Sequence, residues 1–439
     1  MKRKFITCLL LCTAFLARAQ SNKIDFTEYT LDNGLHVILQ PDKTTPIVAV
    51  SVMYHVGSKN EQSNRTGFAH FFEHLMFEGS DNIKRGEYTN LVQTAGGTLN
   101  ANTSQDRTYY YEVLPSNQLA LGLWLESERM RSAKIDQAGV ETQRNVIKEE
   151  KKESFDNRPY GTILEKTFAN AFSEHPYRWV PIGSAQYIDQ ATLSEFVDFY
   201  KTFYVPNNAT LSIAGDIDVN QAKELIQKYF SPIPKGTKEI PRPTVKEAPK
   251  TQETREIIFD NVQLPAVVQA YHIPEQTNPD YYAITMLTNL LTGGESARLN
   301  KALIDQQQKA VYVGSFPMQL EDPGLFLAFA VANAGVNIDE VERSIDAEIE
   351  RVKKEQISDA EFQKLRNQIE NSFVQKNFTV AGRAEQLANY HTFYKNTNLI
   401  NTELQNFLKV TKDDLARVAN QYFTRENRVV LHYLPKANN

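Results

Sequence analysis

Two histidines and a glutamate fall in one short apolar stretch, Thr66-Gly67-Phe68-Ala69-His70-Phe71-Phe72-Glu73-His74-Leu75-Met76-Phe77, in the order His-x-x-Glu-His. On a helix His70 and His74 stand one turn apart on one face, so each can offer a ring nitrogen to a single ion. Glu73 lies near the same face. A carboxylate there is close to a metal without being forced to bind it, and can take a proton from a water that the ion activates. The flanking Phe68, Phe71, Phe72, Leu75, Met76 and Phe77 would bury the rest of the helix. With 8 histidines in 439 residues, chance produces this pattern in about one chain in a hundred.

Zinc in a hydrolase usually takes three protein ligands and leaves a fourth position to water, so another His, Glu or Asp should come from a second element. The run Glu141-Thr142-Gln143-Arg144-Asn145-Val146-Ile147-Lys148-Glu149-Glu150 offers one. Its Val146 and Ile147 would sit against the core while a glutamate turns to the metal. Spacing alone does not separate Glu149 from Glu150.

The elements that would position these groups follow from the hydrophobic pattern. Strands are indicated at Tyr29–Leu39 around the turn pair Asn33-Gly34, and at Ile47–Val56, Thr108–Val113, Arg255–Phe259, Ala266–His272 and Leu325–Ala332. Apolar residues recurring at three and four mark long helices over Gln118–Ser132, Ile338–Glu355 and Ala360–Phe378. Ser231–Lys250 carries Pro232, Pro234, Pro241, Pro243 and Pro249 with little to bury, and reads as an extended linker. The stretches on either side end alike. Thr192–Leu211 lies over Thr411–Val430 without a gap, pairing Thr192 with Thr411, Phe203-Tyr204 with Tyr422-Phe423, and Asn208 with Asn427. Each reads as a capped helix, an aromatic pair, a turn and a strand. The fold expected is a duplicated α+β unit: two homologous α/β-sandwich domains, each a mixed or antiparallel sheet with helices packed on one face.

Composition narrows the setting. With 41% hydrophobic and 23% charged residues the chain is an ordinary folded protein. Met1-Lys2-Arg3-Lys4, the apolar run Phe5–Ala17 and the small residues Ala17 and Ala19 read as a secretory signal over residues 1–19. Cys8 and Cys12 are the only cysteines, so the mature chain has no thiol. Loss of Lys2, Arg3, Lys4 and Arg18 leaves 44 basic against 53 acidic residues, a formal charge of −9. That balance argues against nucleic acid as a partner, and no later stretch has the roughly 18 apolar residues of a spanning helix. A periplasmic or secreted protein is expected.

The motif and its surroundings resemble the pitrilysin and insulinase group of zinc metallopeptidases, in the processing-peptidase-like branch with the inverted zincin motif. The matching pieces are Gly57-Ser58 with Glu61, Thr66-Gly67-Phe68-Ala69-His70, Phe77-Glu78-Gly79-Ser80, Gly96-Gly97-Thr98-Leu99-Asn100-Ala101, Asp106 with Thr108-Tyr109-Tyr110, and Arg158-Pro159-Tyr160-Gly161. Gly293-Gly294 to Arg298-Leu299 and Tyr312-Val313-Gly314-Ser315 match more loosely. The resemblance implies a peptidase with Zn2+ on His70, His74 and Glu150 and with Glu73 as general base. The group's register falls on the second glutamate of the pair. It also implies domains at 23–230, which binds zinc, and 251–439, joined by the linker 231–250.

Three positions depart from that group. It commonly has a glutamate seven residues before the ligand, supporting the metal site from behind, and here Gln143 stands there. An amide hydrogen-bonds without adding charge, so zinc affinity or rate can differ. Its active members also carry, in the second domain, an Arg and a Tyr that hold the substrate carbonyl. Aligning Leu303-Ile304-Asp305 puts Ile304 and Val311 in those places; a one-residue shift restores Tyr312 but sets Asp305 opposite the Arg. Stabilisation of the developing oxyanion would be incomplete in this chain. A second subunit of the same fold is therefore expected to supply the pair; the alternative is a homodimer active on its own. Gly96–Val113 suggests an edge strand at which Asn100 and Ala101 bind an extended peptide through main-chain hydrogen bonds. Tyr160 and His175 are read as structural, and His36, His55, His272, His391 and His432 show no ligand spacing. The competing reading is a non-catalytic binding or assembly subunit, which would have no need of His70, Glu73, His74 and Glu150.

Overall fold

A computed structural model describes residues 23–436. The proposed signal at 1–19, with both cysteines, lies outside the described residues. Among these, no helix is long and apolar enough to cross a membrane.

Among the described residues eleven strands form two sheets. The first contains β1 (Thr27–Thr30), β2 (His36–Pro41), β3 (Ile47–Tyr54), β4 (Thr98–Thr103), β5 (Thr108–Pro115) and β6 (Ala209–Gly215), in the order β1-β2-β6-β3-β5-β4. The second contains β7 (Thr254–Asp260), β8 (Ala266–Ile273), β9 (Ala310–Met318), β10 (Gly324–Ala332) and β11 (Arg428–Pro435), in the order β7-β11-β8-β10-β9. With β1 set aside the two orders superimpose, and in each the first pair is parallel and the rest antiparallel. Between Phe230 and Thr254 there is no helix or strand.

The paired stretches at the ends of the two halves fold alike. Helices Leu193–Phe203 and Lys412–Tyr422 both begin in a capping box, Thr192 with Glu195 and Thr411 with Asp414. Asn208 Nδ2 donates to the carbonyls of Phe203 and His55, and Asn427 Nδ2 to those of Tyr422 and His272. Each asparagine thereby closes its helix and clips the incoming strand to the end of a neighbour.

Strands such as β3 (IVAVSVMY) and β10 (GLFLAFAVA) are apolar on both faces and almost wholly buried, so both faces of each sheet need cover. Each half's own helices cover one face. The other face takes a helix from the opposite half. Val380–Asn389, from the second half, lies on β3 and β6 with Val380 and Ala384 against Ala49 and Ala214. Ile163–Ala171, from the first half, lies on β11 and β8, and the Ala171 carbonyl meets His272 Nε2 at 2.9 Å. The inward faces of β8, β10 and β11 join the core of the first half, while their other faces close a separate core.

Candidate metal centre

The helix Phe68–Leu75 starts after Gly67, whose φ of +99° is left-handed and suits a residue without Cβ. The two N-terminal amides of Gly67 and Ala69 donate to the buried Glu61 carboxyl group at 2.9 and 2.8 Å, and they oppose the burial that pushes its pKa up to about 8. Phe68, Phe71, Phe72 and Leu75 are buried, and Phe68 and Phe72 stack on Phe196 and Phe199 of the helix Leu193–Phe203. The Tyr110 hydroxyl donates to the Phe72 carbonyl at 3.1 Å. Fixed on that side, the helix presents His70, Glu73 and His74 on the other.

Glu150 comes from the helix Gln137–Lys151, capped by Asp136, whose Oδ1 accepts the Gly139 amide at 2.8 Å. Val140 and Ile147, two turns apart, set the buried stripe. Val146 is exposed, contrary to the expectation that it would sit against the core, because it lies about 100° round the helix from Ile147. The same rotation separates the two glutamates. Glu150 Oε2 lies 3.3 Å from His74 Nε2 and 3.7 Å from His70 Nε2, whereas Glu149 pairs with Lys152 at the surface.

The two rings are nearly perpendicular, with centroids 4.9 Å apart, and the three ligand atoms all lie within 4.8 Å of one another. Donors about 2.0–2.2 Å from a tetrahedral ion stand about 3.4 Å from each other, which the two Glu150 separations bracket. Among the described residues Glu150 is the one partner of both Nε2 atoms. Burial, then the neighbouring His74, hold His70 down to about pKa 4 against the pull of Glu150. The hydrogen bond with His74 keeps Glu150 below the usual carboxylate range despite burial. A neutral imidazole and an ionised carboxylate are the forms in which each offers a lone pair. The donor set fits a divalent cation of the zinc kind.

Glu73 is pushed up by burial, and the Thr103 hydroxyl, donating to its Oε2 at 2.7 Å, opposes that rise. Thr103 ends β4, the edge strand of its sheet, on which Asn100 is exposed and Ala101 half-buried. Sequence reasoning missed Thr103, which is thirty residues from its partner. Gln143 donates through Nε2 to Glu78, and its Oε1 is buried without a partner, as is His70 Nδ1. Among the described residues Gln143 makes no hydrogen bond to His70, His74 or Glu150.

Ile304 is half-buried against the second core, and Val311 and Tyr312 are exposed on the edge strand β9. The Tyr160 hydroxyl donates to the Leu264 carbonyl in the second half, and His175 accepts the Tyr177 amide. Two further acid and histidine groups gather. Glu28, His36 and His391 meet, but the rings stack in parallel at 3.4 Å, so their nitrogens do not converge, and both nitrogens of His36 are engaged. Asp339, Glu342 and His432 also meet, with Arg255 and Arg428 already on Glu342.

The chain matches the family model described as Insulinase (Peptidase family M16) over residues 36–178, and that of the Peptidase M16 inactive domain over 190–369. It is 34% identical over 419 residues to the zinc protease PqqE of Helicobacter pylori, covering 94% of each chain. A crystal structure of a protease from Helicobacter pylori superposes with a TM-score of 0.90 at 32% identity, over 94% of this chain and all of that one. The periplasmic protease PqqL from Escherichia coli shares the fold, with a TM-score of 0.76 at 20% identity, over 94% of this chain and 48% of its own.

Proposed function

The chain belongs to the M16, or insulinase, family of peptidases, and from that premise we propose that it is a zinc metalloendopeptidase cleaving peptides or unfolded polypeptides. The convergence of His70, His74 and Glu150, with Glu150 at tetrahedral-edge distances from both imidazoles and Glu73 beside them, carries this reading. These three residues of the inverted motif and its companion helix would hold Zn2+, which when bound polarises a peptide carbonyl and makes water a better nucleophile. Glu73 takes the proton of the attacking water and passes it to the leaving amine. Its Oε2 is held by Thr103, so Oε1 is the oxygen free for that transfer. The open edge of β4 binds the peptide main chain beside Asn100 and Ala101, which favours breadth over side-chain selectivity.

The site is open: the side chains of His70, His74 and Glu150 are 13, 24 and 35% exposed. Hydrolysis gains from excluding bulk water, so a second two-domain unit of the same fold closes the chamber. Ile304 and Val311 stand where an Arg and a Tyr would hold the carbonyl, and a partner subunit supplying that pair completes the site; a homodimer is the other arrangement. The match of this chain to about half of PqqL supports a working unit of two such halves-in-tandem. With a cleaved segment at 1–19, the place of action is the periplasm or beyond.

The purified chain should carry about one zinc, measured by elemental mass spectrometry, and His74→Ala should lose it. Glu73→Gln should keep the metal and lose cleavage by about a hundredfold or more. Unchanged cleavage by the complete complex bearing Glu73→Gln overturns the proposal, and folded, metal-free protein transfers weight to the reading as a binding or assembly subunit and makes Gln143 the first suspect.

A further inference from the structure

Glu73 is long and can swing, yet only one of its oxygens is tethered among the described residues, by the hydroxyl of Thr103. Thr103 is itself fixed at the last position of β4, opposite Thr108, and Thr108 Oγ1 donates to the Val56 carbonyl at 2.9 Å. The turn that follows is pinned at every residue that faces inward. The Ser104 and Gln105 carbonyls accept the amides of Ser58 and Lys59 at 3.1 and 3.0 Å. Asp106 takes the Lys59 ammonium at 2.9 Å, the Tyr177 hydroxyl at 2.7 Å, and the backbone amide of Glu321, from the second half, at 2.9 Å. The hydroxyl that reaches Glu73 is thus part of a rigid corner, and that corner belongs to the strand that would receive the peptide.

We infer that Thr103 is a positioning residue, which holds one oxygen of Glu73 in place so that the other faces the attacking water and the scissile bond in a fixed register with β4. The inference rests on the proposed role of Glu73. Because Thr103 fixes direction and does not itself bind peptide, its loss should act on turnover and leave substrate affinity alone.

The test compares wild type, Thr103→Val, Thr103→Ser and Glu73→Gln in whichever assembly the wild type is active, with a crystal structure of each. Thr103→Val keeps a β-branched strand residue and removes only the hydroxyl. It should lower kcat about ten- to a hundredfold, with KM and zinc content unchanged, and leave the Glu73 carboxylate in more than one orientation. Thr103→Ser should restore both turnover and a single orientation. A Thr103→Val enzyme with wild-type kcat, a loss confined to KM, or an unmoved carboxylate overturns the inference. If Glu73→Gln itself retains full turnover, it is the base assignment that fails; the orientation of residue 73 in Thr103→Val still decides whether Thr103 holds it.

Discussion

Glu150 and Glu342 each meet histidine in one half of the molecule, and the difference lies in what else they meet. Glu150 has the Nε2 atoms of His70 and His74 and, among the described residues, no guanidinium or ammonium. Glu342 has His432 at 2.7 Å and Arg255 at 2.6 Å on Oε2, and Arg255 and Arg428 on Oε1. Its charge is spent inside the protein, and the cluster is a knot that ties β7 and β11 to the helix Ile338–Lys354. Around Glu150 no such counter-charge stands among the described residues, and the gap suits the cation proposed above. The same acid and imidazole chemistry thus becomes a fastening or an ion site according to whether the chain provides its own counter-charge.

The strongest way to break this contrast is to remove the counter-charge from the knot. Arg428→Met strips the buried guanidinium from Glu253, Glu342 and Asp346 and should cost about 3–5 kcal/mol in denaturant unfolding, with zinc content untouched. A smaller effect should depend on pH. Burial would raise the Glu342 carboxyl, but His432 and Arg255 outweigh it and hold it at about 2, below its ordinary 4.5. The stabilisation is therefore complete above about pH 4.5 and lost as pH falls towards 2. Glu342→Gln should melt below wild type at neutral pH, by about 1–3 kcal/mol, and the gap should close across that acid window. The smallest effect is expected at the other cluster: in metal-free protein Glu150→Gln should change stability by only about 0–1 kcal/mol, because that partly exposed carboxylate meets only the two imidazoles and no guanidinium among the described residues. A large destabilisation there would erase the distinction.

Much of this was legible in the residues. The spacing of His70, Glu73 and His74 implied one face of one helix, and Asn208 and Asn427 marked the duplication by doing one job twice, closing a helix and clipping a strand. Adjacent Glu149 and Glu150 differ only by a rotation about the helix axis, which the buried stripe of Val140 and Ile147 sets; with Val146 counted as core, that stripe is misplaced. Thr103 escapes because its partner is brought close by tertiary packing and by no local period. The helix Val380–Asn389 offered a faint signal in Ala381, Gly382, Ala384 and Ala388, small residues of the kind that let a helix lie close on a sheet, but nothing in the chain says which sheet.

The exchange of helices between the halves bears on how the molecule can move. A chain with two sheets and a proline-rich connector invites the image of a clamshell swinging at its hinge. Here each shell keeps a rib of the other: Val380–Asn389 is lodged on the first sheet and Ile163–Ala171 on the second. To part them would bare an apolar face on both sheets at once. The chain is braided, and its two halves cannot part without stripping a helix from each sheet.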